Sequence, residues 1–209
     1  MTHLRRACGL LLLLTMTGCG PTSHASTGNR TGKSPNMNMQ QAADRADAVL
    51  QETVTRINPG LRWVHEAPGQ NSCTDWKNTD TGGGYVNRGL MVMTIVSPQR
   101  RGGLLGVVER DWKARGFTVT NVRSDAQFPA IFASTPDGFR LEVAVGGEGQ
   151  FRFGITSPCA ATSPVAKPTA PSNVDTNAPA YEGGKPLPRP YIHDDFWSAT
   201  TSPTTPPTP

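Results

Sequence analysis

The sequence predicts an α+β domain, in which two helices cover one face of a single, mostly antiparallel sheet. Two segments have the spacing of amphipathic helices, and they interrupt a series of predicted strands without following every strand, as they would in a doubly wound fold. An Asp-Gly pair between two β-rich runs adds a hairpin near the end of that series. The predicted order of elements within residues 36–159 is α-β-β-α-β-β-β-β.

The first helix is predicted over residues 36–58, where apolar residues recur at steps of three and four. These residues are Met39, Ala42, Ala43, Ala46, Leu50, Val54 and Ile57. Asn58-Pro59-Gly60 then ends the helix. Its polar face carries charges of both signs and no aromatic side chain, which favours packing against a sheet over lying on a membrane surface.

Two strands are predicted after this helix, over residues 61–66 and 85–96. The second is apolar on both faces in its latter half, which is typical of a central strand. Between them, residues 67–84 form a long polar loop. For Trp76 in this loop, the favoured interpretation is packing on a disulfide at Cys73, and the alternative is the lining of a shallow ligand site.

The second helix is predicted to begin at Ser97-Pro98, where a capping residue precedes a proline that suits the first turn. Its apolar stripe extends to Trp112, and Gly116 fits the position just after its end. Four strands follow, over residues 117–122, 130–134, 139–145 and 151–156. Thr135-Pro136-Asp137-Gly138 predicts a hairpin between the second and third of them, and a turn at 146–149 leads into the last.

The N-terminus has the pattern of an export signal. Arg5 and Arg6 precede an unbroken apolar run at residues 10–14, which is too short to span a bilayer of about 30 Å. Cys19 follows directly after small residues. Cleavage at Ser23-His24-Ala25, which would give an ordinary secreted protein, is one interpretation of this region.

The other interpretation, which we favour, is lipid attachment. Met16-Thr17-Gly18-Cys19 resembles a bacterial lipobox, with methionine where leucine is usual. The resemblance implies a signal peptide over residues 1–18 and acyl chains, such as palmitate, on Cys19. Residues 19–35 are then a flexible tether, and membrane lipid is the first expected partner. The expected location is the extracytoplasmic face of the cell membrane.

The charge balance of the predicted domain argues against a nucleic-acid surface. The whole chain has a formal net charge of +4, but residues 36–159 contain 13 lysines and arginines against 12 acidic residues. Part of the excess lies in Arg5 and Arg6, which leave with the signal peptide. No nucleic-acid partner is therefore expected.

The four cysteines are expected to have different fates. Cys8 lies in the signal peptide and Cys19 is the lipidation site, which leaves Cys73 and Cys159 in the exported domain. An even pair in an oxidising compartment predicts one disulfide bond. Two free thiols or a metal pair are the alternatives, although the spacing of these cysteines fits no zinc motif.

Three short motifs of the domain resemble those of a group of small, uncharacterised actinobacterial lipoproteins. They are W-x-x-x-G-F at the end of the second helix, the T-P-D-G-F hairpin and the closing S-P-C. Together with the lipobox, the resemblance covers residues 104–159 best. It implies export and a shared fold, and it transfers no catalytic residue.

No catalytic or metal-binding motif is recognisable in the chain. The triple glycine at 82–84 is not followed by the Lys-Ser/Thr of a phosphate-binding loop, so a flexible turn is favoured. His65, Asp75 and Asp80 could form an acid–base group only if the fold brings them together. We therefore expect no cofactor, no metal and no enzymatic activity, and a hydrolase that uses these three residues is the alternative.

The C-terminal segment, residues 160–209, is predicted to be disordered, because 11 of the chain's 19 prolines lie there among Thr, Ser and Ala. Residues 186–197 interrupt this composition with an aromatic-rich motif. Tyr191, Ile192, Phe196 and Trp197 make it a candidate partner motif. Folding back onto the domain and a passive tail are the other interpretations.

These observations predict a membrane-anchored extracytoplasmic lipoprotein of the cell envelope with a non-catalytic binding or accessory domain. An envelope protein or a small ligand would bind on the sheet face left open by the helices, or on the loop 67–84. A structural spacer within the cell wall is a further alternative, alongside the hydrolase.

Overall fold

A computed structural model of the chain describes residues 33–147, 149–174 and 189–201. The predicted signal peptide, Cys19 and the tether before residue 33 lie outside the described residues. The described part contains two helices and nine strands. In chain order they are β1 (Lys33–Asn38), α1 (Met39–Thr55), β2 (Trp63–His65), β3 (Gly69–Thr74), β4 (Asp80–Val92), α2 (Pro98–Ala114), β5 (Thr118–Arg123), β6 (Ala130–Ser134), β7 (Arg140–Val145), β8 (Phe151–Thr156) and β9 (Cys159–Ala161).

All nine strands belong to one sheet, whose main path runs β1-β9-β4-β8-β7-β6-β5. The long strand β4 also pairs with β2 and β3, so it has four strand partners. The pairing of β1 with β9 is parallel, and the pairings of all the other described strands are antiparallel. The prediction of an α+β fold with a single, mostly antiparallel sheet is therefore confirmed.

Helix α1 begins at a capping box. The Asn38 side chain accepts a hydrogen bond from the Gln41 backbone N–H at 2.9 Å, and the Gln41 side chain accepts one from the Asn38 N–H at 2.9 Å. The predicted apolar positions of the helix are buried, with alanines at 42, 43 and 46 on the face towards β4. Small side chains on this face let the helix axis lie close to the sheet.

Helix α2 begins at Pro98 and ends before Gly116, whose φ of 76° is the left-handed conformation that closes a helix. Trp112 is fully buried and donates a hydrogen bond from Nε1 to Oγ1 of Thr53 in α1, at 3.2 Å. The buried side chains of both helices share one core with the inward residues of β4, β6, β7 and β8. Both helices therefore cover the same face of the sheet, as the sequence predicts.

The polar segment 67–84 differs from the prediction, because it forms a β-hairpin instead of a loop. Strand β3 pairs with the first half of β4 through the backbone, and this pairing needs no apolar side chains. The glycines at 82–84 are part of β4, not a flexible turn. A Cβ on Gly84 would lie 2.5 Å from the Met39 sulfur and 3.0 Å from the Asn71 carbonyl oxygen, so the glycine leaves room for the Met39 side chain.

The predicted disulfide between Cys73 and Cys159 is confirmed, with the two Cα atoms 6.1 Å apart. It links β3 to β9, the two strands that flank the glycine-rich end of β4. The sequence separation is 86 residues. Closing a loop of that length stabilises the fold by about 4.6 kcal/mol on the chain-entropy account.

The first part of the C-terminal segment follows the domain surface. Asn173 accepts a hydrogen bond from the Trp63 N–H at 2.7 Å and donates one to the Leu61 carbonyl at 2.8 Å. Ala166 donates its N–H to the Gln40 side chain at 2.7 Å. Residues 162–174, which we call the strap, thus satisfy backbone groups on the outer edge of β2.

The aromatic-rich motif also folds back onto the domain. Trp197 is 0% exposed, and its Nε1 donates a hydrogen bond to the Pro59 carbonyl at 2.8 Å. Ile192 pairs with Thr94 in a parallel bridge beyond the end of β4. The expectation of a disordered tail is therefore wrong for residues 160–174 and 189–201. Burial of Trp197 and these backbone hydrogen bonds offset the entropy of ordering a proline-rich chain.

Replacing Trp197 with alanine tests this packing. We expect Trp197→Ala to lower the free energy of unfolding by about 3–5 kcal/mol, because it removes a buried indole and leaves a cavity. Tyr191→Ala is the matched control within the same segment. Tyr191 is 54% exposed, so its loss should change stability by no more than about 0.5 kcal/mol. Equal effects of the two variants in urea unfolding would contradict the fold-back arrangement.

Candidate binding site on the open sheet face

The face of the sheet away from the helices carries the alternate residues of the central strands. Strand pairing aligns them in rows that cross the sheet. The middle row consists of Gly89 in β4, Gly154 in β8, Glu142 in β7 and Phe132 in β6. In this row, β4 and β8 therefore contribute glycines without side chains, β7 contributes a carboxylate and β6 contributes an aromatic ring.

One end of this face is covered by the C-terminal segment. Val64, Met91 and Met93 form a small second core with Val174, and Ile192 packs against it. The strap and the aromatic-rich motif thus close the end of the face near β2. The open part of the face lies beyond this cluster, over β8, β7 and β6.

A polar trough of about 220 Å³ occupies the open part. We call it the central trough. Its lining side chains are those of Asn87, Phe132, Arg140, Glu142, Arg152 and Thr156, with Gly154 at its floor. Two arginines, a carboxylate, an amide, a hydroxyl and an aromatic ring therefore face one shallow concavity.

An ion pair between Glu66 and Arg152 borders this trough. Arg152 Nε lies 2.8 Å from both carboxylate oxygens of Glu66. The Glu66 side chain is only 9% exposed, whereas that of Arg152 is 45% exposed. A Cβ on Gly89 would collide with the Glu66 carboxylate, and one on Gly154 would lie 3.8 Å from the Arg152 guanidinium. Gly89 therefore leaves room for the Glu66 carboxylate, whereas a Cβ on Gly154 would meet Arg152 at ordinary van der Waals distance.

Burial raises the pKa of the Glu66 carboxyl above its usual value. The charge and hydrogen bond of Arg152 act in the opposite direction, and the nearby charge of Glu142 adds to the increase. The cost of removing the carboxylate from water thus exceeds the stabilisation that Arg152 supplies. This carboxylate is more costly for the fold than an exposed one would be.

The other polar groups of the trough are also held in place. Thr156 Oγ1 donates a hydrogen bond to the Asn87 side-chain oxygen at 2.8 Å, which leaves the amide N–H groups of Asn87 as donors. Arg140 is exposed and Glu142 is half-buried. Groups of both charges at fixed positions suit a polar ligand or a peptide backbone, which offers donors and acceptors together.

The three residues considered for acid–base catalysis lie in different environments. His65 faces away from the central trough, stacks edge-on to Trp63 and shares a 2.7 Å hydrogen bond with the Ala170 carbonyl. Asp75 caps the β3–β4 turn through the N–H groups of Lys77 and Thr79, at 2.8 and 2.9 Å. Asp80 accepts a hydrogen bond from the backbone of Gly82 at 2.7 Å. No hydrogen bond between described side chains joins any two of the three.

Trp76 does not pack on the disulfide, contrary to the favoured interpretation of the sequence. It is 88% exposed at the tip of the β3–β4 hairpin. The turn fixed by Asp75 directs the indole into solvent, with Lys77 Nζ 4.8 Å from the ring centroid.

A buried ion pair on the helix side of the sheet was not predicted. Arg88 in β4 is 2% exposed at its side chain, and its Nε lies 3.3 Å from Oδ1 of Asp47 in α1 without the alignment of a hydrogen bond. Its Nη2 donates to the Ala166 carbonyl of the strap at 2.6 Å. Burial raises the pKa of Asp47, and the charge of Arg88 opposes the increase. This pair links α1, the sheet and the strap.

The described residues contain neither a cluster of metal ligands nor a membrane-spanning helix. No group of three or more His, Cys, Asp or Glu side chains there could hold a metal ion. No helix in the described part of the chain is long and apolar enough to cross a membrane.

Comparisons with known proteins give one structural likeness. No protein-family model matches the chain, and no curated protein matches it. Among solved structures, the chain is similar to the crystal structure of a DUF4853 family protein from Actinomyces odontolyticus. The identity is 12% and the TM-score 0.36, over 69% of this chain and 75% of that chain.

The raised pKa of Glu66 leads to a prediction about pH. Folding favours the protonated carboxyl, so the linked stabilisation is complete below the ordinary pKa and is lost as the pH rises through the raised value. The wild-type chain should therefore lose stability relative to Glu66→Gln as the pH rises from about 4 to about 7. Urea unfolding of both proteins across this range measures the difference. Asp47 is common to both and cancels.

The opposite trend would show that the attraction of Arg152 outweighs the cost of burial. In that case the wild-type chain would gain stability relative to Glu66→Gln over the same range of pH. The ion pair would then be a stabilising element of the fold, and its place beside the trough would need no functional explanation.

Proposed function

We propose that this chain is a membrane-anchored extracytoplasmic lipoprotein, whose domain binds a polar partner non-catalytically in the central trough. The observation that carries the binding proposal is the arrangement of Glu66 and Arg152 over Gly89 and Gly154, on the face that neither helix covers. Charged groups held in a shallow concavity are suited to recognition of a ligand.

The lipid anchor is supported by the sequence around Cys19 and by the chemistry of the domain. A disulfide between Cys73 and Cys159 fits an oxidising compartment outside the cytoplasm. With these two cysteines paired and Cys8 in the signal peptide, Cys19 has no thiol partner within the chain. Two or three acyl chains on Cys19 would hold the protein stably, whereas one chain gives only marginal binding.

The trough favours an extended peptide or a peptide-like wall polymer over a compact apolar ligand. Its open shape leaves most of a small molecule in water, and its lining supplies donors from Arg140 and Asn87 and acceptors from Glu142. Phe132 offers a ring face beside them. Such a mixed lining is typical of the surfaces that read backbone amides and carboxylates.

Metabolic labelling tests the anchor. Cells that express the chain and receive labelled palmitate should yield a labelled protein in the membrane fraction, because acyl transfer to Cys19 needs its sulfur. Cys19→Ala should lose the label and leave the membrane fraction. Cys8→Ala, which removes a cysteine of the signal peptide, is the matched control and should keep the label. An unlabelled native protein would refute the anchor.

Site-specific photocrosslinking tests the binding face. A photoreactive amino acid at Glu142, in the trough, should capture an envelope component in intact cells, and Arg140→Ala should reduce the capture. The same amino acid at Ala114, which is exposed on α2, is the control and should capture little. Equal capture at both positions, or capture that is insensitive to Arg140→Ala, would contradict binding in the central trough.

A further inference from the structure

The tip of the β3–β4 hairpin is an unusual surface feature of the domain. The tip, residues 75–79, presents Trp76 at 88% exposure, whereas the other three tryptophans of the chain are almost fully buried. Tryptophan combines a large apolar ring with a polar N–H group, so an exposed indole is suited to a boundary that is apolar on one side and wet on the other.

Hydrogen bonds within the turn hold the tip, so the exposure of Trp76 is built into the fold. Asp75 donates its N–H to the Thr79 carbonyl at 2.9 Å, and its carboxylate accepts from the N–H groups of Lys77 and Thr79. Asn78 adopts a left-handed conformation with φ of 61°, which closes the turn. The disulfide at Cys73, two residues before the tip, fixes this end of β3 to β9.

The predicted tether enters the domain close to this tip. Lys33, the first residue of β1, is paired with Cys159, and the Cα of Cys159 lies 6.1 Å from that of Cys73. Trp76 is three residues beyond Cys73. Standard chain dimensions place the Cα atoms of Lys33 and Trp76 no more than about 22 Å apart. The tip therefore lies on the part of the domain where the connection to Cys19 begins.

The length of that connection allows the tip to reach a membrane. The chain from Cys19 to Lys33 spans at most about 48 Å when fully extended. A domain of this size is roughly 40 Å across. A connection of this length lets the end of the domain that carries Lys33 lie at a bilayer in which Cys19 is embedded.

The chemistry of the tip suits the headgroup region better than a protein interface. Tryptophan concentrates at the boundary between water and lipid, and the stem of a lysine can lie along the boundary while its ammonium group stays hydrated. Exposed neighbours on the hairpin are polar, among them Asn71, Ser72, Thr74 and Asn78. A single indole surrounded by polar groups does not form the apolar patch that protein interfaces have at their centre. At a membrane, the polar neighbours can stay hydrated while only the indole ring enters the headgroup layer.

We propose that Trp76 and Lys77 form a second contact with the lipid surface in which Cys19 is embedded. This inference rests on the proposed function, since it takes the lipid anchor as given. The contact would limit rotation of the domain about its tether and hold one end of the domain at the membrane. The anchor would supply the affinity for the membrane, and the tip would supply the orientation.

Quenching by brominated lipid tests the contact directly. The lipidated full-length protein is reconstituted into phosphatidylcholine–phosphatidylglycerol vesicles that contain lipid brominated near the headgroup. Trp63, Trp112 and Trp197 are shielded by the domain, so quenching reports on Trp76. We expect strong quenching of the native protein and almost complete loss of quenching in Trp76→Phe. The variant should remain bound to the vesicles and folded, because the replaced side chain makes no buried contact.

Each outcome separates the contact from the anchor. Lys77→Glu should reduce the quenching of Trp76 in anionic vesicles, because it replaces a positive charge at the headgroups with a negative one. The lipid anchor should keep the variant bound. A lipidated native protein that shows no quenching would overturn the contact and leave the anchor intact. If the native protein carries no lipid on Cys19, it would not bind the vesicles. That result would refute the proposed function itself. Shielding of Trp76 from aqueous iodide only after envelope proteins are added would assign the tip to a protein partner, which overturns the contact.

Discussion

The structure depends on the backbone pairing of β4, because this strand holds four others in register. Over 13 residues it pairs with β3 and β9 at its start and with β2 and β8 further along. Its first half is polar and rich in glycine, and its second half is buried on both faces. The same strand therefore joins a solvated hairpin that is crosslinked by the disulfide to the centre of the core, and a shift of one residue would invert every side chain along it.

This constraint explains why residues 189–201 pack on the domain. Beyond Val92 the chain continues in an extended conformation and its backbone groups need partners. Tyr191 and Ile192 donate their N–H groups to the Met93 carbonyl at 2.9 and 3.0 Å, and the Ile95 N–H donates to the Ile192 carbonyl at 2.8 Å. Trp197 then fills the space beside Pro59. A truncated chain would expose both the edge and the apolar surface under the indole.

The sequence predicts correctly those elements that leave a recognisable pattern of side chains. Apolar spacing predicts both helices, the Asp-Gly turn predicts the β6–β7 hairpin, and the count of cysteines predicts the disulfide. Strands β1, β3 and β9 escaped prediction, because short polar strands are held by backbone hydrogen bonds to β4 and to each other and leave no periodic signal. The fold-back of Trp197 was one of three open interpretations, since composition alone cannot identify the surface that an aromatic residue will cover.

The residues of the candidate site were harder to predict from the sequence than the elements of the fold. Arg140, Glu142 and Arg152 occupy alternate positions of apolar strands, which places them on one face, and this alternation could have indicated a charged sheet surface. Glu66 could not be assigned to the same face, because its partner Arg152 is 86 residues away. The exposure of Trp76 depends on a turn that Asp75 and Asn78 create together, and it could not be read from the tryptophan itself.

The energetic cost of the site is the strongest reason to regard it as functional. Glycine weakens the interior of a strand, and here Gly89 and Gly154 are neighbours in the middle of the sheet. The Glu66 carboxylate, which lies against Gly89, is buried enough to raise its pKa despite the arginine beside it. Glycines at these two positions and a buried carboxylate at Glu66 both lower the stability of the sheet. Local features that lower stability tend to persist where a surface performs a task, which supports the proposal that this face of the domain binds another molecule.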